Sequence, residues 1–455
     1  MNNSKIIGSQ RSMTELIGTW YLVLGTQKFL LTFLLLLQSY ALLAQPSRDK
    51  ATELEAYLGK DSFFNNHLTG FMLYDLDTQQ PVYEKNSHLY FIPASTTKLV
   101  TFFASLITLG DSTTILRYVN KGNEVTVWGT GDPSWKYHAL PQQPRLREFF
   151  DRYEKINFSD ANWKDQAFGF GWQWDDYYFS YSAEKSPFPI YGNVAKVINR
   201  NNKPEISPSL FRQNLTTSDR DVRNVQREFH NNQFFYNPRT YNGMNSYVPF
   251  LTSQQTFVQL ASSELNKMVL PSKEKLPKDH QRLKGIRTEA LYKEMMLESD
   301  NFIAEHLLLM ISDELFQELN SERAIDYIKK TYLIDLPDEM LWVDGSGLSR
   351  HNLMTPRSLV VLMDKIYRVL PDEMLFNLLP KGGVSGTLKN NYHAPKPYVF
   401  GKTGTISNNH SLVGFVRTKS DKLYAFAFMN NNYPYKASKV RSEMEKVMVY
   451  IRENF

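Results

Sequence analysis

The spacing of apolar residues changes period several times along this chain, and each change marks an element. Phe71-Met72-Leu73-Tyr74-Asp75-Leu76, the polar stretch Asp77-Thr78-Gln79-Gln80 and Pro81-Val82-Tyr83-Glu84 read as a β-hairpin. Tyr90-Phe91-Ile92 then leads through Pro93 into an apolar helix that runs to about Leu109 and stops at Gly110-Asp111. Leu146 to Ile156 and Ser253 to Leu265 have helical spacing. So does Leu291 to Met310, apart from the polar break Glu298-Ser299-Asp300-Asn301. Thr355 as N-cap and Pro356 at the first position open another helix. Tyr398 to Thr405, Ser411 to Arg417 and Lys422 to Met429 alternate like neighbouring antiparallel strands, and Ser438 to Glu453 closes the chain as a helix. Strands at both ends with helices between them predict one sheet built from both termini and covered by helices, an α/β (α+β) fold.

Two regions depart from this pattern. Residues 118–254 are rich in Asn, Pro and Tyr with short strand-like pieces such as Val194 to Ile198, and show no internal repeat. They read as an inserted β-rich region, which makes 45–117 and 255–455 one discontinuous domain. The aromatic run from Trp172 to Tyr181 is expected in the core of that insert and not as a glycan-facing platform. Residues 1–44 read as a signal peptide for export to the periplasm. Lys28 precedes the apolar stretch Phe29 to Leu37, and the small residues Ala41 and Ala44 follow it. An uncleaved anchor giving membrane association is the alternative, since Leu16 to Leu24 is also apolar. However, Thr26-Gln27-Lys28 interrupts the two, and Phe29 to Leu37 alone is too short to span. The long head leaves Met13 as another start.

Composition narrows the chemistry. A chain of 455 residues with 42% hydrophobic and 22% charged residues is an ordinary globular one, long enough for two or three domains. The absence of cysteine excludes disulfides, thiolate nucleophiles and Cys-based metal sites. A net charge of +5, dispersed along the chain, argues against nucleic acid. The histidines show no HxxxH pair, so no metal site is expected, and no cofactor is expected either.

Candidate chemistry begins at Ser95-Thr96-Thr97-Lys98. At a helix start Ser95 and Lys98 share one face, and free N–H groups with the positive dipole end surround the hydroxyl. A lysine takes the serine proton only if burial or neighbouring cations lower its pKa. Ser-x-x-Lys recurs at Ser47–Lys50, Ser182–Lys185 and Ser272–Lys275, in charged or polar stretches that read as solvated surface. What sets Ser95 apart is its company, Ser299-Asp300-Asn301 in the helix break and Lys402-Thr403-Gly404-Thr405 on a strand. Ser407-Asn408-Asn409 also fits Ser-x-Asn.

This ordered set resembles the signature of class A β-lactamases and penicillin-binding proteins. More of the chain resembles the class C low-molecular-mass penicillin-binding proteins, peptidase S13-like D-alanyl-D-alanine carboxypeptidases and endopeptidases. The resemblance is carried by Phe91-Ile92-Pro93-Ala94-Ser95, Gly131-Asp132-Pro133, Glu298 to Asn301 with Ala304-Glu305, Asp344 to Arg350, Gly386-Thr387-Leu388, Lys402 to Thr405 and Ser411 to Phe415. The long interval between Lys98 and Ser299 fits that family's inserted domains, whereas a class A β-lactamase has no room for one. Asn390-Asn391 stands where the family would have an arginine.

The resemblance implies a β-lactamase/transpeptidase-like domain that acts on peptidoglycan stem peptides ending in D-Ala-D-Ala and is inhibited by β-lactams. It implies Ser95 as nucleophile, Lys98 as base, Ser299 as proton relay, Asn301 as orienting amide and Lys402 as electropositive centre. Thr403, Gly404 and Thr405 would bind substrate, with the N–H groups of Ser95 and Thr405 holding the oxyanion. Gly404 is expected to be glycine so that a substrate backbone can lie against the strand edge. Asp300 and the Asp344 to Arg350 loop read as structural, and His306 as an ordinary helix residue. A non-catalytic wall-binding homologue and a serine β-lactamase remain the rivals.

Overall fold

Strand Leu68–Asp75 lies between Leu423–Asn431 and Gln80–Lys85 and so joins the two ends of the chain. The full antiparallel order is Val399–Ile406, Asn409–Arg417, Leu423–Asn431, Leu68–Asp75, Gln80–Lys85. The structure is a computed structural model that describes residues 50–59 and 62–455; the segment 1–44 read as a signal peptide lies outside the described residues. Residues 50–59 form a helix whose i, i+4 pair Leu54 and Leu58 is buried.

The central strands are buried on both faces because helices cover both. Val413, Phe415, Ala425, Ala427, Met429 and Met72 face a core shared with helices Lys98–Thr108, Asn301–Phe316 and Pro356–Val369. Leu412, Phe426 and Phe428 alternate to the other side, where helix Ala437–Asn454 packs with Val440, Met444 and Met448. Each such Val, Leu, Phe or Met side chain withdrawn from water contributes about 1.5–3 kcal/mol. The break after Leu297 separates helix Thr288–Leu297 from Asn301–Phe316, and Asp300 caps the second by accepting from the Ile303 N–H. Thr355 caps its helix as the sequence predicts, accepting from the Ser358 N–H.

A second five-stranded sheet runs Val269–Ser272, Lys155–Ser159, Glu124–Gly129, Ser112–Lys121, Gln281–Arg287, and two three-stranded sheets lie between Val194 and Pro249. Its core holds Ile115, Leu116, Val127, Phe158 and Val269. The border expected at 117/118 falls inside Ser112–Lys121, and the one expected at 254/255 falls at the start of helix Gln254–Leu265. Ser112–Lys121 pairs with Gln281–Arg287 across the whole insert, a pairing that local composition does not carry. Leu146 to Ile156 is not one helix either: Pro144–Asp151 is helical, and Lys155–Ser159 is a strand held in parallel between two others.

Strand Ser112–Lys121 is tied to helix Asn301–Phe316 by a buried ion pair. Arg117 Nε and Nη2 donate to Asp313 Oδ1 and Oδ2 at 2.8 and 2.9 Å. The aromatic run is not core: Trp174 is 75% and Tyr181 44% exposed. Turns and short 3-10 pieces replace a regular helix or strand there, so no periodic face forms to bury the rings, and Phe188 and Ile190 fill the core instead. No helix among the described residues is long and apolar enough to cross a membrane.

Candidate active site

Pro93 leads into a 3-10 turn, Ala94–Thr97, that feeds directly into helix Lys98–Thr108. The turn puts Ser95 half-buried at the cleft and Lys98 fully buried one turn later. Lys98 Nζ has three oxygen neighbours: Ser95 Oγ at 3.0 Å, Asn301 Oδ1 at 2.7 Å and Ser346 O at 2.7 Å. Asn301 Oδ1 and Ser346 O can only accept. In the neutral amine they take both N–H protons, and the lone pair is left facing the Ser95 hydroxyl. Burial pushes the Lys98 pKa down from 10.5 to about 8, against the upward pull of Asp344, Glu305 and Asp300. About a tenth of the lysine is thus neutral at pH 7, far more than an ordinary lysine.

The loop that supplies the Ser346 carbonyl is itself held by buried acids. Asp344 accepts from the Gly347 and Ser349 N–H groups, from Asn352 Nδ2 and from Trp172 Nε1. Glu305 Oε1 accepts from the Ser346 N–H at 2.8 Å. Gly347 has φ +79°, and a Cβ there would fall 1.8 Å from Ala94 O. Only glycine lets this loop close against the serine turn.

Lys402 Nζ donates to Ser299 Oγ at 2.7 Å and to Thr403 O at 2.9 Å. Burial, and then the charge of Lys98, hold its pKa well below the ordinary lysine value. Ser299 sits in the helix break with φ 62°, a left-handed conformation that costs a non-glycine residue about 1–2 kcal/mol.

The edge strand orients its own backbone. The Gly401 N–H donates to Pro380 O, and Val399 O accepts from the Gly382 N–H, so odd-numbered groups point away from the partner strand Asn409–Arg417. By the two-residue alternation the N–H groups of Thr403 and Thr405 point to that same open side. Gly404 alternates inward, and a Cβ there would lie 2.3 Å from Pro93 O and 2.9 Å from Ser95 N. The glycine is therefore required by the protein's own serine turn, not by a substrate backbone. Thr403 Oγ1 meets Thr387 Oγ1, and Thr405 Oγ1 meets His410 Nδ1, both at 2.7 Å.

Three distant segments thus meet: Lys98 is hydrogen-bonded to Ser95 and Asn301, Lys402 to Ser299, and Thr403 to Thr405 continue the strand that carries Lys402. The D-Ala-D-Ala carboxypeptidase 3 (S13) family matches residues 50–226 and 280–454. The chain belongs to that family. Among its relatives, D-alanyl-D-alanine carboxypeptidase DacB of Haemophilus influenzae is 25% identical over 424 residues, covering 80% of this chain and 85% of that one. The penicillin-sensitive carboxypeptidase A of Dictyostelium discoideum is 23% identical over 439 residues, covering 81% and 83%. The crystal structure of penicillin binding protein 4 (dacB) from Haemophilus influenzae shares the fold. Its TM-score is 0.71 at 20% identity, over 89% of this chain and 99% of that chain. Membership of the S13 family makes the chain a serine-type D-Ala-D-Ala carboxypeptidase.

Some of what holds this cleft together has no strong local signal. Glu305 and the Asp344 loop figure only as family landmarks and scaffolding, yet they place the Ser346 carbonyl on Lys98. Thr387 stands in the Gly386-Thr387-Leu388 landmark without a role of its own, and His410 carries no motif that distinguishes it. Asn391, where the resemblance implies an arginine, donates to Glu445 of the closing helix. His306 is a buried helix residue with Nδ1 2.6 Å from Gly131 O. The repeat Ser182–Lys185 is not solvated surface: both residues are buried, and Lys185 pairs with Asp165 at 3.0 Å because 3-10 turns fold that stretch inward. Among the described residues no three His, Asp or Glu side chains gather as a metal-ligand set.

Proposed function

We propose that the chain is a D-alanyl-D-alanine carboxypeptidase/endopeptidase of peptidoglycan stem peptides working through an ester at Ser95. The contact set of Lys98 Nζ carries this reading, because it leaves a neutral lysine no partner for its lone pair except the Ser95 hydroxyl. Ser95 Oγ bonds to the carbonyl carbon between two D-alanines while its proton passes to Lys98. The N–H groups of Ser95 and Thr405 hold the oxyanion, and such a donor is typically worth about 10² to 10³ in rate. Collapse breaks the C–N bond, and the leaving amine takes a proton from Lys98 by way of Ser299. Water then hydrolyses the ester, returning Ser95 and releasing the shortened peptide or the cut cross-link. Asn301 orients Lys98 and the substrate amide. Lys402 with Thr403 and Thr405 receives the terminal carboxylate.

The sheet built from both chain ends and the second sheet over 112–287 support a discontinuous catalytic domain with an insert. Export to the periplasm by 1–44 is supported by the apolar core and small residues of that segment and by the location of peptidoglycan. Labelling with fluorescent penicillin tests the whole: a stable adduct on the wild type and none on Ser95→Ala are expected. A folded wild type that takes no label refutes the reading, and rapid turnover of the β-lactam favours a β-lactamase. Mass analysis of digested wall fragments then separates loss of one D-alanine from cleavage of a cross-link.

A further inference from the structure

Beside the cleft lies a chain of aromatic rings that the acyl-transfer chemistry does not use. It starts at Tyr181, whose carbonyl accepts from Asn301 Nδ2 at 3.0 Å, and so begins one residue from the Lys98 network. From Tyr181 it steps to Phe179 (5.2 Å between ring centres, 11° between planes), Tyr178 (4.2 Å), Tyr177 (5.4 Å), Phe229 (4.8 Å) and Trp174 (6.3 Å). The exposure is that of a surface feature: Tyr181 44%, Phe179 40%, Phe229 42%, Trp174 75%. Asp175 and Asp176 are interleaved with the rings, and Asp176 Oδ1 accepts from the Tyr181 hydroxyl at 2.8 Å.

We propose that this ring ladder is a binding subsite for the amino-sugar glycan from which the stem peptide hangs. The inference rests on the peptidase reading above and deepens it. Three observations converge on a glycan. The ladder is continuous with the side of the cleft at Asn301, so its occupant is an extension of whatever the cleft holds. A stem peptide of four extended residues reaches about 14 Å, so the sugar at its far end sits outside the cleft, where a ring surface beside it can meet the glycan. The chemistry also fits. Flat ring faces take the C–H faces of pyranose rings, while carboxylates among them accept from sugar hydroxyl and acetamido N–H groups. Those same carboxylates repel an anionic bilayer, the other common partner of exposed aromatic rings.

The test uses the full chain and a peptide-free N-acetylglucosaminyl-N-acetylmuramyl tetrasaccharide. Saturable quenching of tryptophan fluorescence is expected for Ser95→Ala, with affinity about 5- to 10-fold weaker after adding Trp174→Ala. With Ser95 restored, Trp174→Ala and, separately, Phe179→Ser should lower kcat/KM about 5- to 10-fold on glycan-linked pentapeptide and less than twofold on free pentapeptide. Equal losses on both substrates, or no saturable titration, overturn the proposal. So does finding that Trp174→Ala abolishes binding to anionic vesicles or a concentration-dependent dimer while glycan titration is absent. Failure of wild-type penicillin labelling would instead sink the peptidase reading, and the peptide-free titration would still judge the ladder.

Discussion

Replacing Glu305 by glutamine removes a buried negative charge near Lys98 and keeps an acceptor for the Ser346 N–H. Glu305 Oε1 takes that N–H at 2.8 Å, and the carbonyl of the same residue takes Lys98 Nζ at 2.7 Å, so the two charges lie roughly 8 Å apart by backbone dimensions. At an effective dielectric of about 20 their attraction is about 2 kcal/mol, or about 1.5 pKa units. Glu305 is itself raised to about 7, first by burial and then by the Asp344 charge. Wherever that carboxyl is ionised its charge acts on Lys98, at about 8. Removing the charge lowers the Lys98 pKa, so Glu305→Gln should reach its plateau about 1 to 1.5 pH units earlier than the wild type. A weaker base is also a slower one. With about half of the basicity change felt in the transition state, the plateau should fall about fivefold. Where acid protonates the wild-type Glu305 too, the two profiles should converge. The assay is the second-order rate of acylation by fluorescent penicillin between pH 5.5 and 9.5, with thermal melting to show that the fold is intact. A limb that stays in place, or moves to higher pH, refutes the assignment of Lys98 as a base tuned by these buried acids.

Three further outcomes follow from contacts elsewhere in the site and core. Gly404→Ala drives a Cβ against Pro93 O and Ser95 N; acylation should drop about 10²- to 10³-fold as the oxyanion donors separate, while circular dichroism stays unchanged. Asp313→Asn leaves the buried Arg117 without its carboxylate and should cost about 3–5 kcal/mol in urea unfolding, whereas Arg117→Met with Asp313→Leu should recover most of that loss. Because burial and Lys98 hold the Lys402 pKa down in the empty site, an arriving carboxylate should raise it. Titration calorimetry of Ser95→Ala in buffers of different ionisation enthalpy should then show proton uptake with an acid-ended peptide and less with its amide. Equal uptake would remove Lys402 from carboxylate binding.

The helix start at Ser95, the break at Ser299 and the late strands were legible because each has a local cause. Proline before a serine, a polar run inside an apolar helix, and strict alternation act over a few residues, and local geometry carries them into the structure. The aromatic run misled for the same reason. Tyr and Phe density predicts burial only where a regular element offers a face, and this stretch folds as turns. The reason for Gly404 was likewise hidden, since the colliding group is Pro93 O, more than three hundred positions earlier in the chain.

The amino-acid sequence alone determined the identity and order of the reactive groups, the sheet made from both chain ends and the membership of a peptidase family. These follow from side-chain chemistry and short-range periodicity. Tertiary structure decided which acceptors leave the Lys98 lone pair for Ser95, how far burial lowers two lysines, where the second sheet begins and ends, and which aromatic rings meet solvent. Each of these depends on segments that are distant in sequence and become neighbours only when apolar burial brings them together, and desolvation has no value until they do.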